Sequence, residues 1–307
     1  MKIFGKILSK KVSVGITVAA LFLVAALVYS LGYRMAMKKF NSIVGYTQEK
    51  QKMYSKLSEV DFNVRDGYIG KIDEDKLFDA TCTGYIKGLG DSNAKFLSSA
   101  DYKSYKSEQE NLSGDIEVNN LQNNIASISC ASLGTNFSGN FITSLNNLVS
   151  EDVRGVVVDL RGCHAGTEQE VVSVMQHLAA KGDVIYTLDA NDKKDVICST
   201  SSNGTDIKFV VLVNDETSGF AEVFASALKD SCGAKIVGVE TAGNAVRTKA
   251  VNLSDDSVII FPDAFYVTSS GKKIFKKGLH PDTNVVNKSN SEDTQMQEAV
   301  SVLEKVL

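Results

Sequence analysis

The longest uncharged stretch of the chain, residues 12–33, constrains its architecture most. It lies between Lys11 and Arg34. As a helix rising about 1.5 Å per residue, it would span the roughly 30 Å hydrocarbon core of a bilayer. A cleaved signal peptide has a shorter apolar region and a small-x-small site, of which Val28-Tyr29-Ser30 is a poor version. A buried helix of a soluble domain is the third alternative. The stretch favours an uncleaved anchor.

The charges around this stretch give a weaker indication of topology. Basic residues stand on both sides of it, so the positive-inside bias is slight. The remainder of the sequence holds no second apolar span. We therefore expect residues 1–11 to be a cytoplasmic tail, residues 12–33 to be the transmembrane anchor, and the bulk of the chain to lie outside the cytoplasm as a single-pass protein of the cell membrane.

Composition excludes several classes of protein. The 307 residues are 43% apolar and 23% charged with a net charge of −4, which is typical of a folded domain and unlike a disordered chain. No basic excess exists to neutralise phosphates, so nucleic acid is not expected as a partner. The 5 cysteines are too dispersed for a metal site and too few for a disulfide scaffold. We expect neither a metal nor a cofactor.

Residues 34–110 are predicted to be a helical stalk followed by a helical region. Acidic residues at 73–75 suit a helix start, where the helix macrodipole favours negative charge, and the glycines of Gly88-Leu89-Gly90 suit its end. Ser98-Ser99 is a candidate N-cap for a further short helix.

Residues 111–307 change to an alternation of strands and helices. Predicted strands lie at 125–130, 155–160, 208–213, 235–239, 257–260 and 264–267, and predicted helices start at Thr167, follow the strand at 208–213, and cover 293–306. Asp255-Asp256 is predicted to be a hairpin turn. The fold class is α/β, because buried strands alternate with amphipathic helices.

The order of several short motifs resembles that of the carboxyl-terminal processing peptidases, which are tail-specific serine peptidases. The motifs are Asp159-Leu160-Arg161, the strand Val210–Asn214 leading to Glu222, Val237-Gly238, Tyr266–Gly271, Lys277–Asp282, and in the helical region Tyr68-Ile69 with Gly88–Asp91. The resemblance covers roughly residues 47–307. It implies a crotonase/ClpP-like peptidase core preceded by a helical region and an N-terminal anchor.

The positions that carry the family's chemistry are changed. The resemblance places the nucleophilic serine three residues before Glu222, where this chain has Gly219. The family's spacing then places the lysine base at Asn244 and the glutamine that orients it at Thr248. The oxyanion loop is altered as well and is expected at Ala165-Gly166. Glycine has no nucleophilic atom and an amide is no base, so the sequence predicts a degenerate member without catalytic residues.

Relocated chemistry is the main alternative. Ser218 precedes Gly219, and Lys249 follows Asn244 along the chain, so a Ser218/Lys249 dyad would make the chain an active serine peptidase. Helix capping by Ser218 and a solvated strand position for Lys249 are the structural interpretations of the same residues. Cys163 beside His164 suggests a thiol enzyme, although loop packing explains the pair better.

Two histidines and one connecting segment bear on metal binding and on domain composition. His177 on a helix flank and His280 in a turn are interpreted as structural residues and not as metal ligands. The family commonly inserts a PDZ domain between its helical region and its core. The connection here, Tyr105–Ile116, is too short to hold one.

Two functional hypotheses follow. The favoured one is a catalytically inactive pseudopeptidase that is anchored in the membrane and binds a polypeptide or a partner protein outside the cytoplasm. The alternative is the active peptidase with the relocated dyad. The sequence leaves the partner and the oligomeric state open.

Overall fold

The computed structural model describes residues 14–287 and 292–307. The chain divides into two compact units with the boundary between Asp73 and Glu74. The predicted cytoplasmic tail, residues 1–11, lies outside the described residues.

A single long helix accounts for the described part of the first unit. Helix α1 covers Val14–Gly67. Within it, Val18–Met37 has a mean hydropathy of 1.7 and is long and apolar enough to cross a membrane. This segment overlaps the predicted anchor at 12–33 and extends a few residues beyond it. Among the described residues, no other helix meets the same criteria.

The second unit contains the remaining helices and all the strands of the described chain. Its helices are α2 (Glu74–Lys87), α3 (Ser99–Glu110), α4 (Phe137–Ser150), α5 (Glu168–Leu178), α6 (Phe220–Cys232) and α7 (Thr294–Glu304). Its strands are β1 (Lys95–Leu97), β2 (Ile116–Asn120), β3 (Ile125–Cys130), β4 (Gly155–Asp159), β5 (Ala180–Asp189), β6 (Lys194–Asn203), β7 (Lys208–Val213), β8 (Lys235–Gly238), β9 (Val246–Asn252), β10 (Val258–Thr268) and β11 (Thr283–Asn284).

The strands form two sheets. The first has the order β11-β8-β7-β4-β3-β2 and is parallel except for β2. The second has the order β1-β10-β5-β6, with β9 also paired to β10, and is antiparallel throughout. Together with the helices they make the α/β fold expected from the sequence.

The parallel sheet is buried on both faces. Val156 and Val158 of β4 belong to the large core cluster that includes residues of α4, α5 and α6. Val157 between them belongs to a second cluster that includes Ala299 and Leu303 of α7. Because successive strand residues point to opposite faces, a strand covered on both sides needs a continuous apolar run. The run at 155–160 was correctly interpreted as such a strand.

Three phenylalanines form the centre of the larger cluster. Phe137 and Phe141 of α4 each meet the ring of Phe224 of α6 edge-on with centroids 5.7 Å apart. All three side chains are fully buried. This packing holds α4 against α6, the helix whose first residue follows the candidate site.

Several local predictions are confirmed and others need correction. Ser98 caps α3, and Thr167 caps α5 by accepting from the Glu170 backbone N–H at 3.4 Å. The hairpin turn at Asp255-Asp256 joins β9 to β10, with the Leu253 N–H donating to the Ser257 carbonyl at 2.8 Å. The strands predicted at 257–260 and 264–267 are one strand, β10. Pro262, which lacks an N–H, sits at a register shift in its pairing with β9.

Candidate functional site

The site lies at the turn between β7 and α6, and this turn is fastened to the loop that follows β4. The Thr217 hydroxyl donates to the Leu160 carbonyl at 2.8 Å, and the Asn214 side-chain oxygen accepts from the Gly162 N–H at 2.9 Å. The Ser218 N–H donates to the Cys163 carbonyl at 3.0 Å. Because β4 and β7 are parallel neighbours, their carboxyl ends meet at one sheet edge, where ligand sites of α/β folds form.

Gly219 occupies the sharpest point of this turn. It is the N-cap of α6 and has φ 61° and ψ −120°, a conformation that costs residues with a side chain about 1–3 kcal/mol. A Cβ built on Gly219 meets no other atom within 4 Å. The strained strand-to-helix turn of a hydrolase exposes its nucleophile in this manner. Gly219, where the resemblance expects the nucleophile, therefore has a backbone conformation compatible with such a turn and open space where a side chain would be.

The structure corrects the interpretation of Ser218 as the cap of α6. Gly219 is the cap, and Ser218 lies one residue before it with a half-buried side chain. The cap position has no side-chain oxygen, so Glu222 alone contributes a side-chain bond here, accepting from the Gly219 N–H at 3.0 Å.

Glu222 links the turn to the segment 241–244. Its carboxylate is fully buried, and its Oε2 accepts from the N–H groups of Gly219 at 3.0 Å and of Asn244 at 2.7 Å. Its Oε1 accepts from the Gly243 N–H at 2.6 Å and from the Thr241 hydroxyl. A buried carboxylate is tolerated when its lone pairs are used in this way. Glu222 therefore fixes Gly219 and Asn244, where the resemblance expects the nucleophile and the base, relative to each other.

Asn244 faces Ser218 across the site. Its side-chain nitrogen donates to the Ser218 hydroxyl oxygen at 3.1 Å. A carboxamide does not accept a proton near neutral pH in either orientation, so it cannot activate a hydroxyl as a base. The position that the resemblance assigns to a lysine thus holds a hydrogen-bond donor to the neighbouring serine.

Thr248 and Lys249 lie on β9, away from this contact. Thr248 pairs with Pro262 and Lys249 with Phe261, and both side chains are exposed. Lys249 is three strand positions beyond Val246, about 10 Å at roughly 3.3 Å per residue. Within the described part of the chain, no hydrogen bond joins Lys249 to Ser218. The structure does not bring the two residues of the proposed dyad together.

Ala165 and Gly166 lie in the loop beside the turn. The Ala165 carbonyl accepts from the Leu133 N–H at 2.8 Å, and a Cβ on Gly166 would come within 2.6 Å of the Leu133 Cβ. Gly166 is thus required by the close approach of Leu133, which is a packing reason. Ala165 and Gly166, where the oxyanion loop is expected, belong to the loop whose Cys163 carbonyl accepts from the Ser218 N–H.

The side chains of Cys163 and His164 lie in different surroundings, one buried and the other exposed. The Cys163 thiol is fully buried against Cys130, and a hydrogen bond between the two thiols, together with burial, raises the pKa of Cys130. The exposed His164 ring contacts the Gly162 carbonyl at 2.8 Å through its Nδ1. A raised thiol pKa opposes thiolate formation at Cys130.

Tyr266 of β10 packs against the first residue of α6. Its ring packs against Phe220, the residue after Gly219, with centroids 5.5 Å apart. Burial and a hydrogen bond to the Glu168 carboxylate raise the pKa of Tyr266 far above its usual value near 10. Tyr266 is therefore a neutral hydrogen-bond donor that joins β10 to the start of α5.

The remaining histidines show no metal-site geometry. His177 is exposed on α5, and the His280 Nδ1 lies 3.1 Å from the Glu240 carboxylate at an exposed position. Across residues 14–287 and 292–307, no group of three or more metal-ligating side chains is found.

Comparison with known proteins decides the family. Residues 124–285, more than half of the chain, match the profile of peptidase family S41. The chain belongs to peptidase family S41. The resemblance identified from the motifs is therefore confirmed at the level of the family, and with it the α/β peptidase fold.

The S41 relatives include carboxyl-terminal processing proteases. The chain is 28% identical over 160 residues to the carboxy-terminal processing protease CtpA of Bacillus subtilis, which covers 52% of this chain and 34% of that protein. It is 34% identical over 144 residues to the chloroplastic C-terminal processing peptidase of Tetradesmus obliquus, covering 46% and 31%. The chain thus matches about a third of the length of these curated relatives.

Solved structures agree with this S41 assignment. The photosystem II D1 C-terminal processing protease has a TM-score of 0.51 at 29% identity, covering 58% of this chain and 46% of its own. A lipoprotein from Streptococcus agalactiae has a TM-score of 0.56 at 17% identity, covering 70% and 77%, and shows the shared fold alone.

Proposed function

We propose that this S41 chain is a membrane-anchored pseudopeptidase that binds an extended polypeptide outside the cytoplasm without cleaving it. The observation that carries the proposal is Gly219, whose backbone has the conformation of a nucleophile turn and whose missing side chain leaves open space. The proposal extends to the anchor at the start of α1 and to the single-pass topology.

The proposal implies a large loss of catalytic rate. Removing the nucleophile or the base of a serine protease lowers kcat by about a million-fold. Backbone donors and binding leave a residual of roughly a thousand-fold over water. Ser218 does not replace the missing parts, because its neighbour Asn244 is an amide and not a base. We therefore expect no measurable proteolysis.

Binding requires only the parts that remain. The turn is still hydrogen-bonded to the loop at 163–166, and a Cβ on Gly219 would enter open space. Phe220, the next residue, packs its ring against Tyr266. An extended polypeptide is the occupant that fits the family's chemistry, since S41 relatives named for carboxyl-terminal processing act on polypeptides. A partner protein with an extended segment would be held in the same way.

Two assays on the full chain in detergent test the proposal. A fluorophosphonate probe and an unfolded, fluorescently labelled protein report on catalysis, and fluorescence anisotropy of the same labelled protein reports on binding. We expect binding with neither probe labelling nor cleavage. Probe labelling that disappears in Ser218→Ala would instead establish the active peptidase.

A matched pair of variants tests where the polypeptide binds. Gly219→Phe places a ring in the open space and should weaken binding by about tenfold or more relative to Gly219→Ala, which has the same backbone strain without the ring. Gly139→Phe, at an exposed position of α4 with open space around it, should leave binding unchanged. Equal binding by both variants would contradict the proposed location.

A further inference from the structure

The part of α1 beyond the apolar segment carries a regular stripe of exposed apolar side chains. Residues of this stripe recur in alternating three- and four-residue steps, the spacing of a heptad repeat. Met53 is 38% exposed, Leu57 44% and Val60 52%. We name the stripe the stalk seam and define it as Tyr46, Lys50, Met53, Leu57, Val60 and Val64.

An apolar stripe of this length on an exposed helix needs an explanation. Soluble proteins rarely leave contiguous apolar surface in water, and helices much longer than usual with a sustained repeat are typical of coiled coils. We propose that the stalk seam pairs with the stalk seam of a second copy of this chain, forming a parallel two-stranded coiled coil.

Charges beside the seam support a second copy as the occupant. The seam alternates between the a and d positions of the heptad, with Leu57 at an a position. In a parallel pair, the residue just before an a position faces the residue five positions later in the partner. Lys56 precedes Leu57 and would face Asp61 of the other copy, giving an attractive pair on each side. Within its own helix Asp61 already binds Arg65 at 2.8 Å, and a carboxylate can accept from both cations.

Lys50 is the one charged member of the seam. Its ammonium lies 5.7 Å from the centre of the Tyr54 ring, so the charge is directed to the side of the seam. A single lysine among apolar seam residues is a known device for fixing register, at some expense of stability.

The apolar segment of α1 provides a second, independent observation. Gly32 and Ala36 continue the same heptad register into the candidate span Val18–Met37. A Cβ on Gly32 would meet no atom within 4 Å, so the backbone there is open to close approach. Small residues four apart are the surface on which membrane helices pack.

The orientation of the pair follows from the anchor and rests on that part of the proposed function. Two copies inserted in one membrane from the same side have parallel stalks in the same register. Confinement to the bilayer also raises the effective concentration, so a short seam is sufficient for pairing.

Disulfide cross-linking of the full chain in isolated membranes tests this proposal. Met53→Cys lies in the seam, and Ser55→Cys lies on the opposite side of the helix. The parent chain with its native cysteines gives the background. Disulfides require Cα atoms within about 7 Å, so oxidation should cross-link the seam variant at least about tenfold faster. Equal rates at the two positions would overturn the pairing.

A second pair of variants makes the result specific to the seam. Leu57→Glu, combined with Met53→Cys, should reduce the cross-linked fraction several-fold, while Ser58→Glu in the same background should not. Cross-linking that is insensitive to Leu57→Glu would refute the seam. Extraction of the membranes with alkaline carbonate distinguishes failure of the membrane anchor from failure of the stalk pairing. A chain that carbonate releases contradicts the anchor. A chain that stays in the membrane but does not cross-link contradicts the pairing.

Discussion

Replacing Glu222 by glutamine tests whether one buried carboxylate holds the site together. The substitution keeps the size of the side chain and changes one acceptor oxygen into a donor. Oε2 accepts from two backbone N–H groups that cannot reverse, whereas Oε1 accepts from the Gly243 N–H and from the Thr241 hydroxyl, which can rotate. The new NH₂ group should therefore take the place of Oε1.

The magnitude follows from the bonds that change. The buried Gly243 N–H loses its acceptor, which costs about 1–3 kcal/mol. The two bonds to Oε2 lose their charge assistance, about 1 kcal/mol each, and the relief from burying a charge returns roughly 1 kcal/mol. The net loss is about 3 kcal/mol. For a unit of this size, 1 kcal/mol corresponds to about 2–4 °C, so Tm should fall by about 6–12 °C.

Thermal unfolding of the full chain in detergent, followed by near-ultraviolet circular dichroism, measures this shift. Glu216→Gln is the matched control, since Glu216 is exposed in the same turn. A Tm for Glu222→Gln within about 3 °C of that control would refute the reasoning, because it would mean that the four donors find other acceptors without cost.

Two further predictions concern stability. Gly219→Ala should destabilise the fold by about 1–3 kcal/mol despite the open space around its Cβ, because φ at this position is positive. Gly139→Ala should stabilise the fold by about 0.5–1 kcal/mol, because alanine favours the interior of helix α4 more than glycine does. Urea denaturation measures both changes in the free energy of unfolding. Burial opposes ionisation of Asp282, but hydrogen bonds from the Ile236 N–H and Lys229 outweigh it and lower its pKa. A carboxylate whose pKa is lower in the folded state stabilises the fold above its unfolded pKa, near 4, and this stabilisation is lost as the pH falls through the folded-state pKa. The difference in the free energy of unfolding between the parent and Asp282→Asn should therefore shrink between pH 7 and pH 3. A constant difference would contradict this.

The strands of the parallel sheet could be predicted because each carries its own signal. Val156, Val157 and Val158 are apolar in succession, and the structure buries them on alternating faces. The strand β6 has no comparable signal. Cys198 is the only one of the ten β6 residues that is fully buried, and the pairing of β6 with β5 has several register shifts. The sequence of β6 therefore shows no alternation of apolar and polar residues.

The candidate site was predictable in position and less so in its contacts. The resemblance to the peptidase family, through its spacing, placed Gly219 and Asn244 in one site, and the strand order brings them to the same sheet edge. Glu222 joins Gly219 to Asn244 only because the segment 241–244, some twenty residues later in the chain, folds back onto it. The one indication of this role in the sequence is that a carboxylate stands between the buried residues Ala221 and Val223 of α6. The contact between Asn244 and Ser218 follows from the position of that same segment.

The hydrogen bonds of Glu222 determine which residues of the site can be substituted without altering its backbone. Three of its four donors are main-chain N–H groups, which every residue except proline supplies. The backbone at these positions is therefore held independently of the side chains at 219 and 244. Those two positions can exchange their chemistry while the backbone around them keeps its shape, so recognition and turnover are separable in the polypeptide-binding role that we propose for this turn.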